Sequence, residues 1–288
     1  MNLTQQQIEE WVDNTAGVFH YTKIMDGLVN KDSYPVLRTI MHRMKGKGLA
    51  FEVPDKGDGW WRKADLEVEE VCWWDGDGEM GENIINLPLG LGEYAHISKP
   101  AVILVAGVYN QGKTAFCMNI IKQNIDKWAD NMAYFVSEGA EQLQWKFRHL
   151  MPMMEKPPKF KTYRRYDNFA DVILSDGLNV IDFLRTDMDK SYAISNKILE
   201  ISRKTRGVTV LAMQKPPGRK LAFGGGSTAW EPSLYIAIDK GRERGESVLE
   251  FEKIKAPKLG IVGDPYTTKI YFNIRNGIQL TEGDTIVG

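Results

Sequence analysis

The sequence predicts an α/β fold, a mainly parallel sheet flanked by helices, with a small α+β domain ahead of it. Three observations carry this. Ala101-Val-Ile-Leu-Val-Ala106 is an unbroken apolar run of buried-strand length that leads directly into Gly107-Val-Tyr-Asn-Gln-Gly-Lys-Thr114, a complete G-x-x-x-x-G-K-[ST] loop. Further apolar runs at Met132–Val136, Leu178–Leu184 and Val208–Met213 are separated by stretches of helical spacing, the alternation that builds parallel sheets. Before about residue 65 the pattern differs, with helical repeats followed by two short strands around a turn-dense stretch.

Composition bounds the rest. A chain of 288 residues has room for two domains, and 43% hydrophobic with 26% charged residues excludes fibrous and disordered classes. Lys plus Arg (37) almost balance Asp plus Glu (38), so a net charge of -1 gives no global attraction to nucleic acid or to an anionic membrane. Any such binding must come from local patches. The two cysteines, Cys72 and Cys117, sit in no C-x-x-C or Cys/His cluster, which argues against a disulfide scaffold and a zinc site and fits a reducing cytoplasm. The N-terminal Met-Asn-Leu-Thr-Gln-Gln-Gln-Ile has no basic n-region, and no apolar run approaches the roughly 18 residues of a membrane span, so a soluble, unprocessed protein without a membrane partner is expected.

In chain order, Thr4 is placed to cap a first helix whose apolar positions are Ile8, Trp11 and Val12. A second helical pattern follows at Phe19, Ile24, Met25 and Leu28. A third starts near Ser33, with Val36, Leu37, Ile40, Met41 and Met44 as its buried stripe and Arg38, His42, Arg43 and Lys45 toward the other side. Gly46-Lys-Gly48 ends it. Leu49–Val53 and Trp60–Lys63 read as strands around the turn-rich Pro54–Gly59, and of Trp60 and Trp61 one is expected to pack on the helices. Three helices and a hairpin in this order resemble a winged helix-turn-helix domain over residues 3–65. That resemblance implies duplex DNA binding through the third helix and the hairpin, with Arg38, His42, Arg43, Lys45, Lys47, Lys56 and Arg62 as the contacting positions. The same architecture also serves as a protein-docking module. The expected boundaries are a domain over 1–66, an acidic, Gly-rich linker over 67–83 and a second domain over 84–288. Asp75-Gly-Asp-Gly-Glu79 in the linker lacks the ligand spacing of a calcium loop.

The loop at Gly107–Thr114 points to a nucleoside triphosphate. Gly107 and Gly112 permit a tight backbone turn, the N–H groups along Asn110, Gln111, Gly112, Lys113, Thr114 and Ala115 meet the phosphates, Lys113 supplies charge to the β/γ oxygens, and Thr114 ligates Mg²⁺. Phe116, Ile120 and Ile121 give the following segment an apolar helical face. Met132–Val136 then ends in Ser137-Glu138-Gly-Ala-Glu-Gln-Leu143, and here the chain resembles the replicative-helicase (DnaB-type) branch of RecA-like P-loop ATPases, phage- or plasmid-type, over residues 84–282. The resemblance implies ATP and Mg²⁺ as cofactors and Glu138 as the base that polarises the attacking water; Glu141 reads instead as a first-turn helix carboxylate. Leu178-Asn-Val-Ile-Asp-Phe-Leu184 is a near match to a Walker B strand delivering Asp182 to the metal, with Asn179 interrupting the apolar run and Asp176, Asp187 and Asp189 as nearby competitors.

Gln214, at the end of Val208–Met213, takes the family's position for a γ-phosphate sensor. The segment 215–227 that follows takes that of a mobile DNA-binding loop, with Lys215, Arg219 and Lys220 as its cations and single-stranded DNA as the partner. Strands at Leu234–Asp239 and Val248–Lys255 lead to Lys253 and Lys255, which the resemblance makes cations reaching a neighbouring subunit's γ-phosphate; Lys258 and Arg275 are reserves. A terminal hairpin near 266–280 closes the sheet. The resemblance implies a homo-oligomer, hexamer or filament. A ring-forming helicase motor is the leading reading; a recombinase-like or mediator ATPase and a winged-helix regulator with an ATPase switch are the alternatives.

Overall fold

The computed structural model describes residues 4–24, 31–65, 81–185 and 191–288. The chain divides into two compact units, Met1–Gly78 and Glu79–Gly288. Met25 and Leu28 of the second helical pattern, Asp187 and Asp189, and residues 67–80 of the expected linker, with Cys72, Trp73 and Trp74, lie outside the described residues.

In the first unit, α1 (Gln5–Asp13) starts from a capping box in which the Thr4 hydroxyl accepts from the Gln7 N–H and the Gln7 side chain accepts from the Thr4 N–H. Phe19 belongs not to a helix but to β1 (Val18–His20), and the expected helical repeat fails there because the chain is paired with β3 (Trp60–Lys63). α2 (Tyr34–Gly46) buries Leu37, Ile40, Met41 and Met44 as expected, whereas Val36, at the start of the helix, is 52% exposed. β2 (Ala50–Glu52) pairs with the other side of β3, giving an antiparallel sheet in the order β1-β3-β2. Trp61 enters the core with Ile8, Val12, Phe19 and Ile24, while Trp60 is half-buried beneath Lys56.

Among the described residues the second unit holds a sheet of nine strands in the order β12-β11-β10-β9-β4-β8-β7-β5-β6, with the ranges that follow. Its parallel part comprises β4 (Ala101–Gly107), β5 (Met132–Val136), β6 (Lys161–Arg164), β7 (Leu178–Asp182), β8 (Val208–Gln214) and β9 (Leu234–Lys240). The strands β10 (Glu246–Ile254), β11 (Lys269–Arg275) and β12 (Gln279–Ile286) continue it antiparallel. This is the expected α/β class. Side-chain alternation sorts the core into two layers: Ala101, Ile103 and Val105 of β4 face the layer containing α3 (Lys113–Asn124) and α4 (Ala140–Leu150), while Val102, Leu104 and Ala106 face α5 (Ser191–Lys204). Every residue of β4 is buried, as a strand covered on both faces must be. Among the described residues no helix is long and apolar enough to cross a membrane.

Two buried asparagines hold this unit together where an apolar pattern gives no sign of it. Asn124 on α3 exchanges two 2.8 Å hydrogen bonds with the backbone of Asn86, tying the segment ahead of β4 to the helix. Asn179, which interrupts the apolar run of β7, bonds both backbone groups of Leu174 and so closes the turn that feeds the strand. Its polarity is satisfied, which is why the strand tolerates it.

Candidate nucleotide site

The strand order places β8 between β4 and β7, so the loop after β4 and the acidic end of β7 face each other across the end of one intervening strand. A cavity of about 670 Å³ opens at these carboxyl ends, where ligands bind in open α/β sheets. It is lined by the loop residues Tyr109 to Ala115 and by Glu138, Lys146, Asp182, Gln214, Lys240 and Ser247, among others.

The loop conformation requires its glycines. Gly112 has φ +93°, and a Cβ there would lie 2.4 Å from Ile274 Cδ1. At Gly107 a Cβ would meet Lys113 Cγ at 2.8 Å, so the missing side chain is the space through which Lys113 folds back. Lys113 Nζ donates to the carbonyls of Gly107 (3.0 Å) and Val108 (2.9 Å). Burial pushes the Lys113 ammonium below its ordinary pKa, opposed by the charge of Asp182. Asn110 supports the turn with φ 60°, and Gln111 accepts from Ser247 Oγ at 3.3 Å.

Asp182 is buried, with 6% exposure, and both its oxygens are engaged: Thr114 Oγ1 donates to Oδ1 at 3.3 Å and Tyr134 OH to Oδ2 at 3.0 Å. Burial raises the Asp182 pKa, and the two hydroxyl donors work against that rise. A hydroxyl and one carboxylate are a donor set suited to a hard cation that keeps waters and phosphate oxygens in its shell. Among the described residues no cluster of three or more His, Cys, Asp or Glu side chains forms a separate metal site.

Glu138 follows β5, and its Oε1 accepts from Lys146 on α4. Its Oε2 is buried and has no hydrogen-bond partner among the described residues. Gln214, at the end of β8, pairs in register with Gly107 and lines the cavity. The residues expected to bind nucleotide and metal, Gly107 excepted, thus share one cavity with Glu138 and Gln214. Sequence reasoning missed Lys146, Tyr134 and Ser247. Lys146 had a signal, since it lies 8 residues after Glu138, two turns along the helix that Glu138 introduces.

Other expected residues lie elsewhere. Lys215 is not an exposed cation: its side chain is fully buried, its ammonium is 2.5 Å from Asp239 Oδ2, and it also donates to the Arg219 carbonyl. It cannot reach a phosphodiester backbone without breaking that pair. A lysine next to Pro-Pro-Gly in a loop reads as solvated, and only the carboxylate at the end of β9 draws it inward. Arg219 and Lys220 are exposed, Lys220 at 3.9 Å from Glu252. The segment 215–229 is tied down by Phe223 N–H to the Gln214 carbonyl (3.1 Å) and Ala222 N–H to Tyr235 OH (2.6 Å).

Lys253 donates to the carbonyls of Ala229 (2.6 Å) and Trp230 (2.9 Å), and Lys255 to that of Glu231 at 3.4 Å. Neither lines the cavity of its own chain. In the first unit Arg38 pairs with Asp58 (3.4 Å), Lys45 with Glu52 (2.7 Å) and Lys47 with Glu9 (3.0 Å), while His42 packs edge-on to Trp61 and lies 3.6 Å from Glu52. Arg43 is exposed and makes no ion pair among the described residues.

No protein-family model matches the chain, and no curated protein does. Solved structures similar to it include a KaiC-like protein from the hyperthermophilic archaeon Pyrococcus horikoshii, 17% identical, with 66% of this chain and 92% of that one covered at a TM-score of 0.46. A RadB recombinase is 15% identical, with 66% and 93% covered at a TM-score of 0.45. Likeness of this degree assigns neither residue roles nor activity.

Proposed function

We propose that the chain is an ATP-hydrolysing, DNA-dependent motor with a RecA-like core of the replicative-helicase type, working as a homo-oligomer. The observation that carries the reading is the meeting of Lys113, Thr114, Asp182, Glu138 and Gln214 in one cavity at the ends of parallel strands. The loop fits a phosphate chain because Gly107 and Gly112 leave a cradle that a Cβ would fill. Lys113 exchanges two carbonyls for phosphate oxygens, and anionic oxygens supply the counter-charge that its burial calls for. Thr114 and Asp182 would hold Mg²⁺, which supplies charge neutralisation on the phosphates. Glu138 takes the proton of the attacking water. Gln214 orients polar groups at the far end of the phosphates. Lys253 and Lys255 act in trans by releasing the carbonyls of Ala229, Trp230 and Glu231 when a neighbouring subunit docks, which makes turnover depend on assembly.

DNA contacts are assigned to two surfaces. Single strands meet Arg219 and Lys220. Duplex meets a winged-helix unit through Arg38, His42, Arg43 and Lys47, of which Arg43 alone needs no ion pair broken. Phosphate release with and without single-stranded DNA, together with negative-stain images with ATP, tests the reading. Strand-stimulated turnover by closed rings is expected. Turnover indifferent to DNA, or open filaments, would exclude the ring motor.

A further inference from the structure

We infer that Lys146 is a positioning residue for hydrolysis, holding the Glu138 carboxylate in the orientation from which it takes the proton of the attacking water. The inference rests on the ATPase reading above. Glu138 sits between the end of β5 and the start of α4, and Lys146 lies on the second turn of that helix, so the helix that begins beside the carboxylate also returns a cation to it. The two side chains are only 27% and 20% exposed, sheltered enough for the pair to be little screened by solvent. Oε1 accepts from the Lys146 ammonium while Oε2 is buried, so the ion pair fixes the rotation of the carboxylate at the edge of the cavity. The carboxylate is also fixed from its backbone side, because Arg164 reaches the Glu138 carbonyl at 3.5 Å. Lys146 lines the same cavity.

The test uses the full chain and four variants: Lys146→Met, Lys146→Arg, Glu138→Gln, and Lys146→Met combined with Glu138→Gln. ATP turnover is measured beside the affinity for a fluorescent ATP analogue. Lys146→Met is expected to lower kcat about tenfold or more, with KM and analogue affinity within about twofold of wild type. Lys146→Arg, which keeps the charge and a donor, should restore most of the loss. In the Glu138→Gln background Lys146→Met should cost nothing further, because a residue acting only through Glu138 has nothing left to position. An unchanged kcat overturns the inference. So does a raised kcat, which would make Lys146 a brake, and so does a loss that appears in KM alone or adds fully to that of Glu138→Gln. A wild type that hydrolyses no ATP overturns the ATPase reading and this inference with it. Failure of the inference alone instead leaves ATP hydrolysis by the wild type intact.

Discussion

Breaking the Lys215–Asp239 pair from its two ends should give unequal results, and the inequality follows from burial. Lys215 has a side-chain exposure of 0% and Asp239 of 30%. Asp239→Asn leaves a buried ammonium without its ion-pair partner. Removing one partner of a buried pair costs about 3–5 kcal/mol, and the partial exposure of Asp239 puts this case near the lower end, about 3 kcal/mol. For a unit of this size that lowers the thermal midpoint by roughly 6–12 °C. Lys215→Met keeps most of the buried stem, and the Asp239 it strands can be hydrated, so its cost is about 1 kcal/mol or less. Scanning calorimetry on both variants reads the difference, and turnover with single-stranded DNA is measured alongside. If Lys215→Met loses DNA stimulation at wild-type stability while Asp239→Asn melts normally, Lys215 is a DNA contact and its assignment as a structural cation is wrong.

Tyr134→Phe removes the donor to Asp182 Oδ2 and should raise the Mg²⁺ concentration needed for half-maximal turnover by about tenfold, read by metal titration. Gly112→Ala forces a Cβ into Ile274 at a left-handed backbone position, so ATP-analogue binding should fall at least tenfold while circular dichroism stays that of wild type. The raised pKa of Asp182 has a definite sign in stability: the folded state holds the proton more tightly than the unfolded chain, so this contribution is complete below the unfolded pKa and is lost as pH rises through the folded one. Asp182→Asn should therefore raise the melting temperature of the nucleotide-free protein at neutral pH, and a fall would contradict the burial argument. Neutralising Arg38, Arg43 and Lys47 should weaken duplex binding with a smaller salt slope, by about 0.9 per lost phosphate contact, and leave single-strand-stimulated turnover unchanged. Neutralising Arg219 and Lys220 should do the reverse; anisotropy and phosphate release separate the two.

The sheet was legible because its strands are covered on both faces, so runs such as Ala101–Ala106 carry the signal in hydrophobicity alone. The phosphate loop was legible because its glycines are imposed by geometry within a short stretch of chain. Short elements were not. β1 and β6, of 3 and 4 residues, owe their strand state to the partners they pair with, and β6 is exposed throughout, so neither has a periodicity to read. The fate of lysines was the least legible. Lys215, Lys146 and Lys253 look alike in sequence, yet one is buried against Asp239, one holds Glu138 and one caps the carbonyls of Ala229 and Trp230. For Lys215 and Lys253 the acceptor lies 24 residues away in the chain, which local pattern does not contain, whereas that of Lys146 lies 8 residues before it.

The most direct test of the central claim is phosphate release by wild-type and Glu138→Gln protein with Mg²⁺ and ATP, with nucleotide binding measured on the same samples. The account predicts Mg²⁺-dependent turnover by wild type, and in Glu138→Gln unchanged binding with turnover reduced by at least about a hundredfold. Wild-type rates in Glu138→Gln, or a wild type that binds no ATP, would contradict it.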